Sequence, residues 1–295
     1  MLLSTMWGIG DNIHLRAVVR ELLRTEDVWL ETSNPVIFRD LIDPARFVSG
    51  ARPPRIREGT ASGVRRRLAP YDVDRRRAAY NANTIAARGS VLAAQFASCN
   101  VAMPDVPDFR IDVPDEWRER LRRTLPLDSR RPILVYRPVI LNKIWHCPLR
   151  SPLPEVYDVL FRSISSQFFT VGVADLSSTE WIAGPEPQLD LKLHRGELDF
   201  QLMAALFAEA HASFTCPGFA PILSQAVGTP TIIVYGGYEC FETTHRHGAA
   251  LTPTLPIETT KPCSCFSNTC GRACAKQIAV PQAIDRIRKF IDEET

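Results

Sequence analysis

The residues able to do chemistry gather in four loops, each directly after an apolar run. In the first, Gly8-Ile9-Gly10-Asp11, two glycines between an apolar run and a helical pattern let the backbone approach a ligand closely. Asp11 and Asn12 open that helix. The Asp11 carboxylate is either an N-cap or a general base projecting from a strand end into the crevice where open α/β sheets hold ligands. Position 13 is Ile13 rather than the third glycine of a dinucleotide fingerprint, so a nicotinamide cofactor has only a lone G-x-G behind it. The second loop follows Tyr136-Arg137 and carries Lys143-Ile144-Trp145. Lys143 is either a surface lysine beside a half-buried tryptophan or a point charge against a leaving diphosphate. The third, Cys216-Pro217-Gly218-Phe219-Ala220-Pro221, separates a strand pattern from a helix. Free amides at a helix start suit a phosphate, although Pro217 and Pro221 remove two donors; a plain βα turn is the alternative. The fourth is Tyr235-Gly236-Gly237-Tyr238-Glu239. Its glycines permit close approach, and Glu239 can accept from a sugar hydroxyl.

Other constellations are less directive. Cys99, Cys147, Cys216 and Cys240 are scattered and suit burial as small apolar residues. Cys263, Cys265, Cys270 and Cys274 are spaced C-x-C-x4-C-x3-C, which lacks the C-x2-C pairs of a zinc ribbon. A structural zinc, four free thiols in a surface loop, and an iron–sulfur or redox centre all stay open, with His245 or His247 near enough in sequence to replace one ligand. Arginines crowd residues 46–97, Arg65, Arg66 and Arg67 among them. That stretch is either a solvated surface or a patch gripping an anionic partner, since guanidinium forks match phosphate and carboxylate. The lone D-x-D, Asp72-Val73-Asp74, lies in this stretch and not after an apolar strand, so chance explains it better than metal binding. No G-x-x-x-x-G-K-[ST] occurs, which excludes a P-loop.

The elements that must position these loops follow from periodicity. Residues 2–7 predict a strand, the stretch from 12 to 23 a helix and residues 27–31 a second strand, together a β-α-β unit with parallel strands. Beyond a polar segment at 122–131, taken as an interdomain linker, the alternation restarts. Strands are expected at 132–137, 167–175, 213–216 and 231–235, and helices at 154–164, 200–212 with Asp199 as N-cap, 221–227 and 281–291. Strands alternating with helices in both halves predict an α/β protein of two doubly wound domains, 1–125 and 126–280, with a closing helix at 281–295. With 295 residues, 45% apolar and 23% charged, the chain is long enough for two ordinary globular domains. A net charge of +2 excludes a generic polyanion binder. No run approaches the roughly 18–20 apolar residues of a membrane span, and residues 1–7 lack the basic start of a signal peptide. The cytoplasm is the expected compartment.

Taken in order, these loops resemble glycosyltransferase family 9, the lipopolysaccharide heptosyltransferases. Gly8-Ile9-Gly10-Asp11 with its helix resembles the family's opening, Lys143-Ile144-Trp145 its K-x-W segment, and residues 212–236 its second-domain loop, helix and strand. The cysteine cluster before a last helix is also similar. The resemblance implies a GT-B fold, two Rossmann-like domains facing across a cleft, with the acceptor on the first and a nucleotide sugar on the second. It implies inverting, metal-independent transfer to a hydroxyl of an anionic acceptor, a glycolipid or nucleic acid, and no cofactor for catalysis. Asp11 would be the base. Gly10, Asn12, Arg137, Lys143, Trp145, Gly218, Phe219, Gly236, Gly237 and Glu239 would bind the donor, and Arg65, Arg66 and Arg67 the acceptor. Where the family carries Asp-Ser/Thr-Gly and a later His, this chain has Pro217, Gly218, Phe219 and Ile222, which leaves the donor sugar open. Two rival readings remain: a sugar transferase acting on a modified nucleic-acid base, and a non-catalytic nucleotide-sugar-binding module.

Overall fold

The computed structural model describes residues 1–49, 72–128, 130–143, 150–185, 187–261 and 276–294. The first half runs β1 (Leu2–Ser4), α1 (Ile9–Leu22), β2 (Trp29–Thr32), β3 (Phe47–Ser49), β4 (Arg75–Arg77), α2 (Ala82–Arg88), α3 (Val91–Ser98) and α4 (Asp115–Thr124). The second half opens with β5 (Ile133–Tyr136), β6 (Ile140–Asn142), α5 (Pro154–Ser165), β7 (Phe169–Val173), β8 (Glu180–Ile182) and β9 (Leu191–Leu193). It continues with α6 (Phe200–Glu209), β10 (Ala212–Thr215), α7 (Phe219–Val227) and β11 (Thr231–Val234). Two single-turn helices, α8 (Phe241–Thr244) and α9 (Arg246–Ala249), precede β12 (Thr254–Ile257) and the closing α10 (Val280–Glu294).

Two parallel sheets result. The first has the order β3-β2-β1-β4, the second β12-β11-β10-β5-β7-β9, and β6 with β8 makes a separate antiparallel ribbon. Parallel neighbours need long crossovers, and helices supply most of them. β5, β10 and β11 are buried at every position, as strands covered on both faces must be. β4 is the exception. It consists of three arginines at the sheet edge, with Arg75 and Arg77 exposed, and an edge strand tolerates that charge.

The strands and helices expected from periodicity are present within a few residues of their expected ends, and Asp199 caps α6 by accepting from the Leu202 amide at 2.9 Å. The segment 122–131 is not wholly a linker. Arg122 and Arg123 form the last turn of α4, and Arg122 pairs with Glu209 of α6 at 3.0 Å. The apolar stripe of α4, Trp117 and Leu121, is buried, while Arg118 pairs with Glu209 at 2.7 Å and Arg120 with Asp199 at 2.6 Å. One hydrophobic core therefore crosses the midline. Ile13 and Val18 of α1 share it with Leu223 and Ala226 of α7 and with Leu202 and Leu206 of α6. A second core, with Tyr136, Tyr157, Phe161, Phe214 and Ile287, lies on the opposite face of the larger sheet under α5 and α10.

Candidate active site

In a parallel sheet the loops leaving the carboxyl ends of the strands emerge along one edge. β4 is the parallel neighbour of β1, so the loop after it stands beside the loop that leads into α1. There the Tyr80 phenol donates to Asp11 Oδ1 at 2.7 Å. Asp11 is half-buried. It is not the N-cap of α1: that position is Gly8, which makes no side-chain cap, and Asp11 stands three residues further on. Each neighbouring residue shapes the carboxylate's setting. A Cβ on Gly8 would overlap Asp11 Oδ2. Gly8 has φ −67 and ψ 140, open to any residue, so glycine is needed there for space and not for backbone freedom. A Cβ on Gly10 would come within 2.9 Å of Ile222 Cδ1 and 3.2 Å of the Phe219 Cα, so this glycine lets α1 press on the start of α7. Asn12 is buried; its Nδ2 donates to the carbonyls of Met6 (2.8 Å) and Gly8 (2.7 Å), which fixes the loop from within. Gln95 of α3 donates to the Asp11 carbonyl at 3.2 Å.

The second sheet sends its own loops to the same place. Arg137 follows β5; its guanidinium lies 4.9 Å from the Phe219 ring centroid, and its Nη1 donates to the Val173 carbonyl at 2.9 Å. Gly218, the N-cap of α7, makes no side-chain cap, and the space around its Cα is open. Amides at such a helix start remain available to an anion. Glu239, whose side chain is 8% exposed, pairs with Arg150 at 2.6 Å. Burial by itself would lower the Arg150 pKa, but Glu239 more than offsets it and the value is raised. Gly236 and Gly237 are buried. A Cβ on Gly236 would overlap the Ser151 carbonyl, so the β11 loop and the chain at 150–151 lie against each other. The Cys216 thiol is pushed up to about 11 by burial, against the pull of Arg137 and Arg150. It is a neutral buried thiol at physiological pH and no nucleophile.

Tyr80 joins the two sets of loops. Burial raises its pKa first; Asp11, the hydrogen bond to it, and Glu239 raise it further, with Arg150 opposing. A carboxylate of the first half and an Arg–Glu pair of the second thus share the surroundings of one neutral phenol. Lys143 is exposed just beyond β6, and its backbone N–H donates to the Thr179 carbonyl at 3.0 Å. The β6–β8 ribbon borders an open cavity of about 550 Å³ lined by Glu180, Trp181, His194 and Arg195, and Asn142 donates to Glu180 there at 2.8 Å.

Arg65, Arg66, Arg67, Trp145, Cys263, Cys265, Cys270 and Cys274 lie outside the described residues. Among the described residues no group of three or more His, Cys, Asp or Glu is disposed to hold a metal ion, and no helix is long and apolar enough to cross a membrane. Tyr80 and Arg150 carry no signal in the sequence. The first follows a strand made only of arginines, and the second is an arginine among several.

No protein-family model matches the chain, and no curated protein matches its sequence. Solved structures do match in shape. The ADP-heptose LPS heptosyltransferase II of E. coli superposes with a TM-score of 0.60 at 12% identity, over 99% of this chain and 98% of that one. A glycosyl transferase family 9 structure from Veillonella parvula gives 0.58 at 10% identity over 99% and 97%. TibC, an iron-containing dodecameric glycosyltransferase from enterotoxigenic E. coli, gives 0.66 at 14% identity, over 100% of this chain and 77% of that one. The fold of this chain is the GT-B fold of these glycosyltransferases.

Proposed function

We propose that this chain is a glycosyltransferase that moves a sugar from a nucleoside-diphosphate sugar to a hydroxyl of an anionic acceptor, with inversion and without a metal in the step. One observation carries the reading. The half-buried Asp11 carboxylate, held by Tyr80, stands where Gly10 packs against Phe219 at the head of α7, beside the Arg137 guanidinium that lies over that ring. In a single displacement, Asp11 accepts the proton of the acceptor hydroxyl, the acceptor oxygen bonds to the sugar C1, and the C1–O bond to the diphosphate breaks through an oxocarbenium-like state. The leaving diphosphate collects negative charge. Arg137, Arg150 and the uncapped amides after Gly218 offset it, with Lys143, just beyond β6, and Trp145 as further donor contacts. Glu239, Gly236 and Gly237 bound the sugar end of this seat. Gly10 and Asn12 act by shaping the Asp11 loop.

The exposed Arg75 and Arg77 on β4 support an anionic acceptor, because that strand leads directly to Tyr80; Arg65, Arg66 and Arg67 extend the same patch in sequence. The solved complex of TibC with ADP-D-β-D-heptose makes ADP-heptose the first donor to try. The reading places the reaction in the cytoplasm, on the donor side of any membrane-borne acceptor.

The test begins with a thermal-shift panel of nucleotides and nucleotide sugars on the purified chain, followed by transfer assays with the donor that binds. Asp11→Asn should lower turnover by about 10²–10⁴-fold, the usual worth of a general base, with an unchanged circular dichroism spectrum. Near-normal transfer by that variant would remove Asp11 from the chemistry. Donor binding without transfer by the wild-type chain would make it a binding module.

A further inference from the structure

We propose that Tyr80 is the positioning residue of the base, its phenol holding the Asp11 carboxylate in one orientation and in its ionised form. The proposal rests on Asp11 acting as the base and adds a residue that the reaction itself does not name. The geometry restricts both oxygens. Oδ1 accepts from the Tyr80 hydroxyl at 2.7 Å, and Oδ2 lies against the α-carbon of Gly8. An ionised carboxylate only accepts, so the phenol must be the donor. The phenol stays protonated because burial, Asp11 and Glu239 all oppose its ionisation and outweigh the pull of Arg150. Tyr80 thus cannot exchange roles with the base: it orients Asp11 but does not take the acceptor proton.

The rest of the residue is suited to this task. Its ring packs against the small cluster of Ile85, Val91 and Ala94 on α2 and α3, outside the two larger cores. Loss of the hydroxyl alone leaves that packing in place. The strand that delivers it, β4, has no buried apolar residue to contribute. A tyrosine at the end of such a strand is explained by what its hydroxyl reaches.

The test is Tyr80→Phe in the full chain, read first without any substrate. The Asp11 carboxyl carbon is followed by ¹³C NMR and assigned by its disappearance in Asp11→Asn. The expected result is a titration midpoint raised by about one pH unit, because the donor that favoured the ionised form is gone. With ADP-heptose, or whichever donor the panel selects, kcat should fall about tenfold or more while both KM values stay within about twofold, the pattern for a lost hydrogen bond to a charged group that acts in the chemical step. The acid limb of the rate profile should move to higher pH with the midpoint. An unmoved midpoint overturns the proposal, as does wild-type kcat. Normal turnover by Asp11→Asn, with the Tyr80→Phe midpoint still raised, instead removes Asp11 from the chemistry and leaves Tyr80 with no base to position.

Discussion

Gly8 and Asp11 compete for one small space. A methyl group on Gly8 and Oδ2 of Asp11 cannot both occupy it, and the carboxylate is the end of a side chain that can turn away. Alanine adopts φ −67 and ψ 140 without strain, so Gly8→Ala has no backbone penalty to confuse the outcome. The variant is expected to melt within a few degrees of the wild type and yet lose turnover by about 10²-fold, the low end of a misplaced general base. Circular dichroism melting beside a transfer assay checks it, and full activity would mean that the place of Oδ2 is immaterial. This glycine was legible in the sequence as half of a G-x-G, but for a different reason: the pattern suggests a ligand against the backbone, and the structure shows a side chain there. Asp11 itself was legible because strand, turn and helix are contiguous. Tyr80 was not, because its partner is 69 positions away and the intervening arginines carry no periodicity. Arg150 was missed for a related reason, since a cation gains meaning only from the buried carboxylate it meets.

At the scale of elements, α1 does most of the positioning, and a buried arginine fixes it. Arg16 is fully buried in the middle of the helix. It pairs with Asp40 at 2.6 Å and donates to the carbonyls of Ile37, Phe109 and Arg110. Those partners come from the connection after β2 and from the segment that leads to α4, so one guanidinium ties the first helix to both. Arg16→Met keeps much of the volume and removes every donor. It should destabilise the protein by about 1–3 kcal/mol, the range for leaving buried acceptors unmet, because the Ile37 and Phe109 carbonyls lose this donor, whereas the exposed Asp40 and the Arg110 carbonyl keep water or Arg20. Urea unfolding at neutral pH measures this, and a loss below about 1 kcal/mol would show that water replaces the guanidinium. Nothing in the local pattern marks Arg16 as internal; helical spacing predicts only that its neighbours Ile13, Leu15 and Val19 are. The same limit explains which elements could be read at all. β5, β10 and β11 are apolar throughout, and α6 and α7 are apolar with turn residues at their ends, so composition and length are enough. β4 is three arginines, β6, β8 and β9 are three residues each, and α4 shows so much charge that its two buried positions give no helical signal and its last residues, 122–124, read as part of a linker.

For the whole molecule, the decisive feature is that its halves are not separate bodies joined by a strap. α1 and α7 share one core, and a cluster of histidines sits where the halves meet. His14 lies on α1, 2% exposed and edge-on to the Phe109 ring. His245 is 1% exposed and shares its Nδ1 with Tyr235 and Thr244, each at 2.7 Å. His247 meets Ser90 of the N-terminal half at 3.0 Å. Burial, and after it the nearby His247, lowers the His14 pKa to about 3. Burial, His14 and Arg150 hold His245 well below its usual value; burial and Arg246 lower His247, with Glu242 opposing. In the folded protein the first two stay neutral, whereas in the unfolded chain each takes up a proton near pH 6.5. The unfolded state therefore binds more protons between pH 6.5 and about 3, so stability is complete above pH 6.5 and falls as the pH drops through that window. Each such histidine removes up to about 1.4 kcal/mol per pH unit. Carboxylates add to the slope only below about pH 5, so the interval from pH 6.5 to 5 isolates the histidines. His14→Gln cannot be protonated, and it should remove about one proton's worth of that slope while leaving the others in place. Urea midpoints for wild type and variant at several pH values across the interval give the slope directly. Equal slopes in the two proteins would mean that His14 already takes up a proton in the folded state, and that the junction between the halves is wetter than its burial implies.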